Sequence, residues 1–208
     1  MATQLFLSAF ITLFVVIDPP GCAPIYAGLT KGATGAQRRA MAIRAALIAG
    51  IILLIFALFG EQLLGALHIE LDSFRIAGGL MLFWIAFEMV FEKRTQRREE
   101  RAEKLAATPE VEDVSIFPMA IPMLAGPGAI AAIMLLMNEA QDLTDSLTVL
   151  GALASVLIIT MLALMAAGPI MRLFGDKVEA AITRVLGVLL AALAAQYVID
   201  GLRGSFGL

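Results

Sequence analysis

Apolar residues run along this chain in six blocks: Leu5 to Leu29, Met41 to Phe59, Phe74 to Phe91, Ile116 to Met137, Leu147 to Ile170 and Ala180 to Leu202. Each is near or above the ~20 residues that a helix needs to cross ~30 Å of hydrocarbon, and the connectors between them are short. The pattern predicts an all-α membrane protein with six transmembrane helices. It leaves no room for a separate soluble domain.

The first block is interrupted where continuity would be expected. Residues 17 to 24 read IDPPGCAP, and proline both lacks the N–H that closes the helical ladder and collides with the preceding turn, so the helix should break here. Asp18 followed by Pro19 is a helix-start signature, a side-chain oxygen able to cap free N–H groups and then proline at the first helical position. The fourth block holds AIPMLAGPGAIAAIM, in which Pro127-Gly128 answers Pro20-Gly21. There Leu124-Ala125-Gly126 precede the proline, and the freed donors have no acid to meet.

Each interruption is followed by two further blocks. The third and sixth blocks open alike, Arg75-Ile76-Ala77-Gly78 against Arg184-Val185-Leu186-Gly187, at an offset of 109 (184 − 75) close to the 107 (127 − 20) of the proline pair. The expected architecture is two inverted three-helix repeats, residues 1–92 and 115–208, joined by a charged cytoplasmic linker at 93–114. The first helix of each repeat is broken at Pro-Gly. Such units enter the membrane from opposite sides and are related by a two-fold axis in its plane. In the alternative topology the interrupted blocks are re-entrant hairpins that never cross.

Composition agrees, with 60% hydrophobic and 16% charged residues and a mean hydropathy of +0.90. Of the fifteen basic residues, all but Arg75 and Arg203 fall in or beside the first, third and fifth connectors, while the second and fourth collect acids. Lys and Arg gather in cytoplasmic loops, so both termini are expected outside a cell (inner) membrane. The start MATQ carries no basic residue, so a cleaved signal peptide is not expected. With net charge −3 and no basic face, nucleic acid is not an expected partner. Cys22 is the single cysteine and His68 the single histidine, which argues against a metal site. The chain has no nucleophile motif and no H-E-x-x-H, so it does not read as an enzyme.

Irregular backbone at membrane depth is tolerated only inside protein or along a wet cavity. A half-helix N-terminus offers N–H groups and partial positive charge to a carboxylate, and unwound carbonyls suit an ammonium group. The candidate substrate-binding residues are therefore Asp18, Pro19, Pro20, Gly21, Cys22 and Pro24 in the first break, and Pro122, Ala125, Gly126, Pro127 and Gly128 in the second. Gln196 is added as a deep polar residue of the last block, either facing a cavity or bridging to a neighbouring helix. Asp18 and Glu88 are the ion-coupling candidates, because ionisable groups within a membrane are functional by default. The plainer readings are an N-cap for Asp18 and snorkelling to the interface for Glu88. Pro118 and Pro169 read as ordinary kinks. Small residues at four-residue spacing, Ala45 and Ala49, Gly151 and Ser155, and Gly187, Ala191 and Ala195, suit close helix packing.

The segments DPPGCAPIYAGLT, AIPMLAGPGA, RIAGGLMLFWIA and RVLGVLLAALAAQYVIDG resemble those of the MarC family of small integral membrane proteins, over nearly the whole chain. The resemblance implies six spans in two repeats and, for at least some members, transport of small neutral amino acids such as glycine and alanine. This sequence departs from the family pattern at Pro20, where a bulky aliphatic is usual, and at Cys22, where the usual residue is Asn. The resulting expectation is a secondary transporter working by alternating access, with H+ or Na+ as coupling ion and no cofactor. Its partners are a small zwitterionic amino acid and the bilayer, with a homo-oligomer left open. An exporter or antiporter of another small metabolite and a non-transporting scaffold are the alternatives.

Overall fold

The computed structural model describes residues 2–91 and 113–207, and the backbone alone over 168–180. Most of the expected linker, 93–112, lies outside the described residues. The elements are α1 (Ala2–Ile17), α2 (Pro19–Leu29), α3 (Gly35–Ala66), α4 (Leu71–Val90), α5 (Ser115–Leu124), α6 (Pro127–Glu139), α7 (Leu143–Met165) and α8 (Ala167–Phe206).

Local chemistry sets several of these boundaries. Thr34 and Gln37 form a reciprocal capping box at the start of α3, and Asp142 caps α7 by accepting from the Asp145 N–H at 2.8 Å. At 32 residues α3 is about 48 Å long, more than the hydrocarbon requires, so its first turns with Arg38, Arg39 and Arg44 extend beyond the apolar region. α5 is wide and twice interrupted. Its Met119 and Ala125 N–H groups reach back five residues, to Val114 and Ala120, and Phe117 and Ile121 are extended. Each precedes a proline whose ring crowds it out of the helical region, and both of these peptide bonds are cis. Pro118 is thus part of a deeper irregularity than the ordinary kink expected for it.

Five helical spans are long and apolar enough to cross a membrane, counting α1 with α2 as one 28-residue span, and the pair α5 and α6, bent by 53°, raises the number to as many as six. The first interruption therefore leaves α1 and α2 as one span, and the second bends sharply. A second difference concerns the expected fifth connector: α7 ends at Met165 and α8 starts at Ala167, so residues 171–179 are helical. Pro169 falls in the first turn of α8, where a missing N–H breaks no bond.

Alanines make up most of the buried face of α3, with Met41, Leu53 and Leu64 among them. On α3, Ala42, Ala45, Ala49 and Ala57 are buried, while Leu47, Ile51, Leu54 and Leu58 point outward. Small residues let helices approach closely, and large aliphatics are left for lipid, the reverse of what water would select. Gly151 is an exception: it faces open space, and the Ser155 hydroxyl turns back on its carbonyl.

α4 and α8 form the most extensive contact. Gly79 lies against the carbonyl of Ala194 and against Val198, and Gly187 against the carbonyl of Ala86 and against Val90, so the two helices run antiparallel. Around them, α1 packs on α7 and α5 on α3; α2 meets α7 and α8, and α6 meets α3 and α4.

Candidate functional site

At the first break Asp18 is left-handed (φ 60, ψ 64), a conformation that aspartate tolerates because its short side chain bonds locally. Its own N–H still reaches the Phe14 carbonyl at 2.9 Å, and its carbonyl still accepts from Cys22 at 3.0 Å. In between, Pro19 and Pro20 have no N–H, and the N–H of Gly21 donates to Asp18 Oδ1 at 3.1 Å. The carboxylate lies so low over Gly21 that a β-carbon there would stand 2.3 Å from Oδ2. That bond takes the donor which would have served Ile17, and the Cys22 thiol turns to the Ile17 carbonyl instead, at 3.4 Å. Asp18 is 1% exposed and Cys22 fully buried. The break satisfies its own donors, with Asp18 as the N-cap of α2. Pro19 and Pro20 have no N–H to return to the last turn of α1.

At the second break Gly126 is the N-cap of α6 (φ −81, ψ 170), and no side chain caps the helix. A β-carbon on Gly126 would stand 2.4 Å from the Pro122 carbonyl oxygen. No Ser, Asp or Asn can therefore serve there, and α6 is held uncapped by its own backbone path. Pro127 has no N–H to lose, and the bond from Ile130 to Gly126, at 3.0 Å, closes the first turn. The N–H groups of Gly128 and Ala129, with the partial positive charge of the helix start, are what the break presents. Gly128 and Ala129 are buried, and Pro127 is exposed.

The two breaks meet. A β-carbon on Gly128 would lie 3.5 Å from Val16 Cγ1 and 2.2 Å from Ile85 Cδ1. The start of α6 therefore abuts α1 two residues before Asp18, under a side chain of α4. Of the other expected residues, Pro19 and Ala125 are buried beside the breaks, and Pro20, Pro24 and Pro122 are half-buried. Glu88 is 7% exposed and accepts from the Trp84 indole N–H at 3.0 Å, so the snorkelling reading gives way to a buried carboxylate three residues along α4 from Ile85. Gln196 is exposed and donates to Asp200 on its own helix at 2.8 Å, so it joins neither a cavity nor a neighbouring helix.

Sequence reasoning missed two polar clasps. Arg75 on α4 donates to Asp72 Oδ1 at 2.9 Å and to Asn138 Oδ1 on α6 at 3.0 Å. The Asp72/Arg75 spacing of three was the available signal, but Arg75 reads in sequence as an interfacial anchor. Arg44 on α3 pairs with Asp113, which also accepts from the Ser115 N–H at the start of α5. Burial pushes the Asp113 carboxyl up, but hydrogen bonding from Ser115 and the Arg44 charge outweigh it and hold the group below its ordinary value.

A multi-pass bundle of apolar helices with two juxtaposed chain breaks defines a polytopic α-helical membrane protein, and its sequence relatives narrow this further. The pattern described as MarC family integral membrane protein matches residues 3–206, and the chain belongs to that family. A membrane protein of Methanocaldococcus jannaschii is 36% identical over 205 residues, covering 99% of both chains. The membrane protein YvbG of Bacillus subtilis is 33% identical over 197 residues, 95% of this chain and 93% of its own. The inner membrane protein YhgN of Escherichia coli K12 is 32% identical over 197 residues, 95% of each. No solved structure matches.

Proposed function

We propose that the chain is a secondary transporter that moves a small neutral amino acid of the glycine or alanine class by alternating access around the two breaks. One observation carries the reading: the start of α6, which no side chain caps, is packed against the last turn of α1 beside the first break. The N–H groups and partial positive charge of that helix start suit the carboxylate of a zwitterion held between the breaks.

Alternating access needs two states of similar energy, which an inverted repeat supplies by letting the halves exchange roles. The reading of two inverted three-helix halves is supported by the exchange of packing partners: α1 with α7 answers α5 with α3, and α2 with α8 answers α6 with α4. It is also supported by the α4–α8 contact, in which Gly79 and Gly187, Ala86 and Ala194, and Val90 and Val198 share one offset of 108 (187 − 79, 194 − 86, 198 − 90). Under this reading the charged linker faces the cytoplasm, both termini lie outside, and the membrane is the inner one named for the E. coli relative.

Purified protein in liposomes tests the proposal. Glycine or alanine flux, by exchange or under an imposed proton or sodium gradient, is the expected result. A substrate panel in both vesicle orientations separates uptake from export of another metabolite. The coverage of Gly21 by Asp18 and of Gly128 by Ile85 favours a second reading, a non-transporting scaffold. Absence of flux under every gradient, together with no zwitterion-dependent change in thermal midpoint, would establish that reading in place of transport.

A further inference from the structure

We propose that Arg75 is the latch of an outer gate, and that α6 is the moving part, swinging about Gly126 into a groove on its far side when the latch opens. The inference rests on the transport reading, since it specifies how the site at the breaks is opened to one side.

Three features place hinge, latch and room on one helix. The hinge is the sharp bend between α5 and α6, 53° about Ala125 and Gly126, where no side chain ties the helix start. The latch is at the opposite end, where the Arg75 guanidinium holds Asn138 while also bound to Asp72. The seat for this pair is shaped for it. Gly204 of α8 faces the Asp72 carboxylate, and a β-carbon there would stand 2.3 Å from Oδ2; Gly201 lies against the same turn, at Ile76 Cγ1, the Asp72 carbonyl and Arg75 Cβ. Glu139 at the end of α6 and Tyr197 of α8 lie within electrostatic reach of the guanidinium. The room is a groove of about 440 Å³ with α6 as one wall, through Met137 and Asn138. Ala57 and Glu61 of α3 and Ser146 and Leu150 of α7 face it. Asn138 thus stands on both the latch and the groove. The middle of α6 is packed on Gly60 through Met134 and on Gly78 through Ala131 and Leu135, while its last turn is tied by the two-pronged arginine and borders the groove, so that the latch and the groove act on the same end of the helix. The Arg44–Asp113 pair, which ties α3 to the start of α5, stays in place during such a swing because it lies beyond the hinge.

Hydrogen–deuterium exchange on the full chain in lipid nanodiscs, with no solute present, tests the motion directly. Arg75→Ala is expected to speed exchange over residues 134–139 by about tenfold while residues 149–156 of α7 stay unchanged. Arg75→Lys keeps the charge but loses the fork, and falls between. In the double variant Arg75→Ala/Ser146→Trp the indole occupies the groove, and exchange returns to within about twofold of wild type. Unaltered exchange in Arg75→Ala overturns the latch. Acceleration as large with Ser146→Trp as without it overturns the swing, because the helix end is then merely fraying. Should Arg75→Ala not give a monodisperse protein, Asn138→Ala removes only the acceptor and carries the same expected and contrary results. Flux measured in parallel separates the two proposals: a latch response without flux of any zwitterion sinks transport and leaves the motion, and flux without a latch response sinks the latch alone.

Discussion

Two chain breaks lie side by side in this bundle, and they are built in opposite ways. At the first, an aspartate in left-handed conformation folds its carboxylate over the next free N–H, a thiol covers the carbonyl left behind, and the two helices remain one 28-residue span. At the second, the cap position is a glycine that cannot carry a side chain, the preceding ten residues are wide and irregular, and the chain bends by 53°. Proline opens a helix, and the residue before it decides whether the opening is closed locally or left for another partner. The first break is thus closed on itself, and the second leaves its helix start without a side-chain cap.

The largest way to break this contrast is to give the second break a cap. Gly126→Ser supplies a hydroxyl, but its β-carbon meets the Pro122 carbonyl, and backbone cannot yield as a side-chain tip can. A loss of about 3 kcal/mol is expected, measured as a drop in the unfolding midpoint followed through Trp84, the single tryptophan. A stabilised Gly126→Ser protein would mean that the helix start was never held open.

Next in size is removal of the first cap. Asp18→Ala places alanine in a left-handed conformation and leaves a buried N–H on Gly21, costing about 2 kcal/mol, whereas Asp18→Asn keeps both the local bond and the tolerance and should cost less than half of that. The same pair tests coupling: if Asp18 also senses the coupling ion, Asn changes the cation dependence of flux while leaving stability nearly intact. Equal destabilisation by Ala and Asn would remove the cap from the account. Smaller again is Cys22→Ala, expected at about 0.5 kcal/mol because a thiol is a weak donor to the Ile17 carbonyl.

How much of this was legible follows from how local each cause is. The spans could be read because hydropathy over twenty residues decides them, and the Asp18 cap because donor and acceptor are three residues apart. The uncapped state of α6 could be half read, from the lack of an acid before Pro127. What forbids a cap is the path of the backbone over Pro122, which no residue type announces. The burial of Glu88 depends on which face of α4 meets the bundle, and a hydropathy block that is apolar all round does not reveal faces. Gln196 was misplaced for the same reason. The absence of a fifth loop follows from Pro169 sitting in the first turn of a helix, a placement that the charges at Arg172 and Lys177 concealed.

The smallest expected effect concerns where each broken span keeps its carboxylate. In the first it sits at the break, buried; in the second, besides Glu139 at the far end of α6, it is Asp113 at the mouth of α5, paired with Arg44 in a contact whose side chains are 41% and 54% exposed. An exposed pair contributes only a few tenths of a kcal/mol, so Asp113→Asn should move the midpoint barely beyond error at neutral pH. The sign is nonetheless definite. Asp113 is held below its ordinary value of 3.8, so its contribution is complete above that value and is lost as pH falls through the lowered one. The midpoints of Asp113→Asn and wild type should therefore converge as pH is taken from about 5 toward 3, with no divergence on the alkaline side. Should Asp113→Asn instead cost more than Asp18→Ala, the second span would be the one fastened by its carboxylate, and the roles given to the two breaks would have to be exchanged.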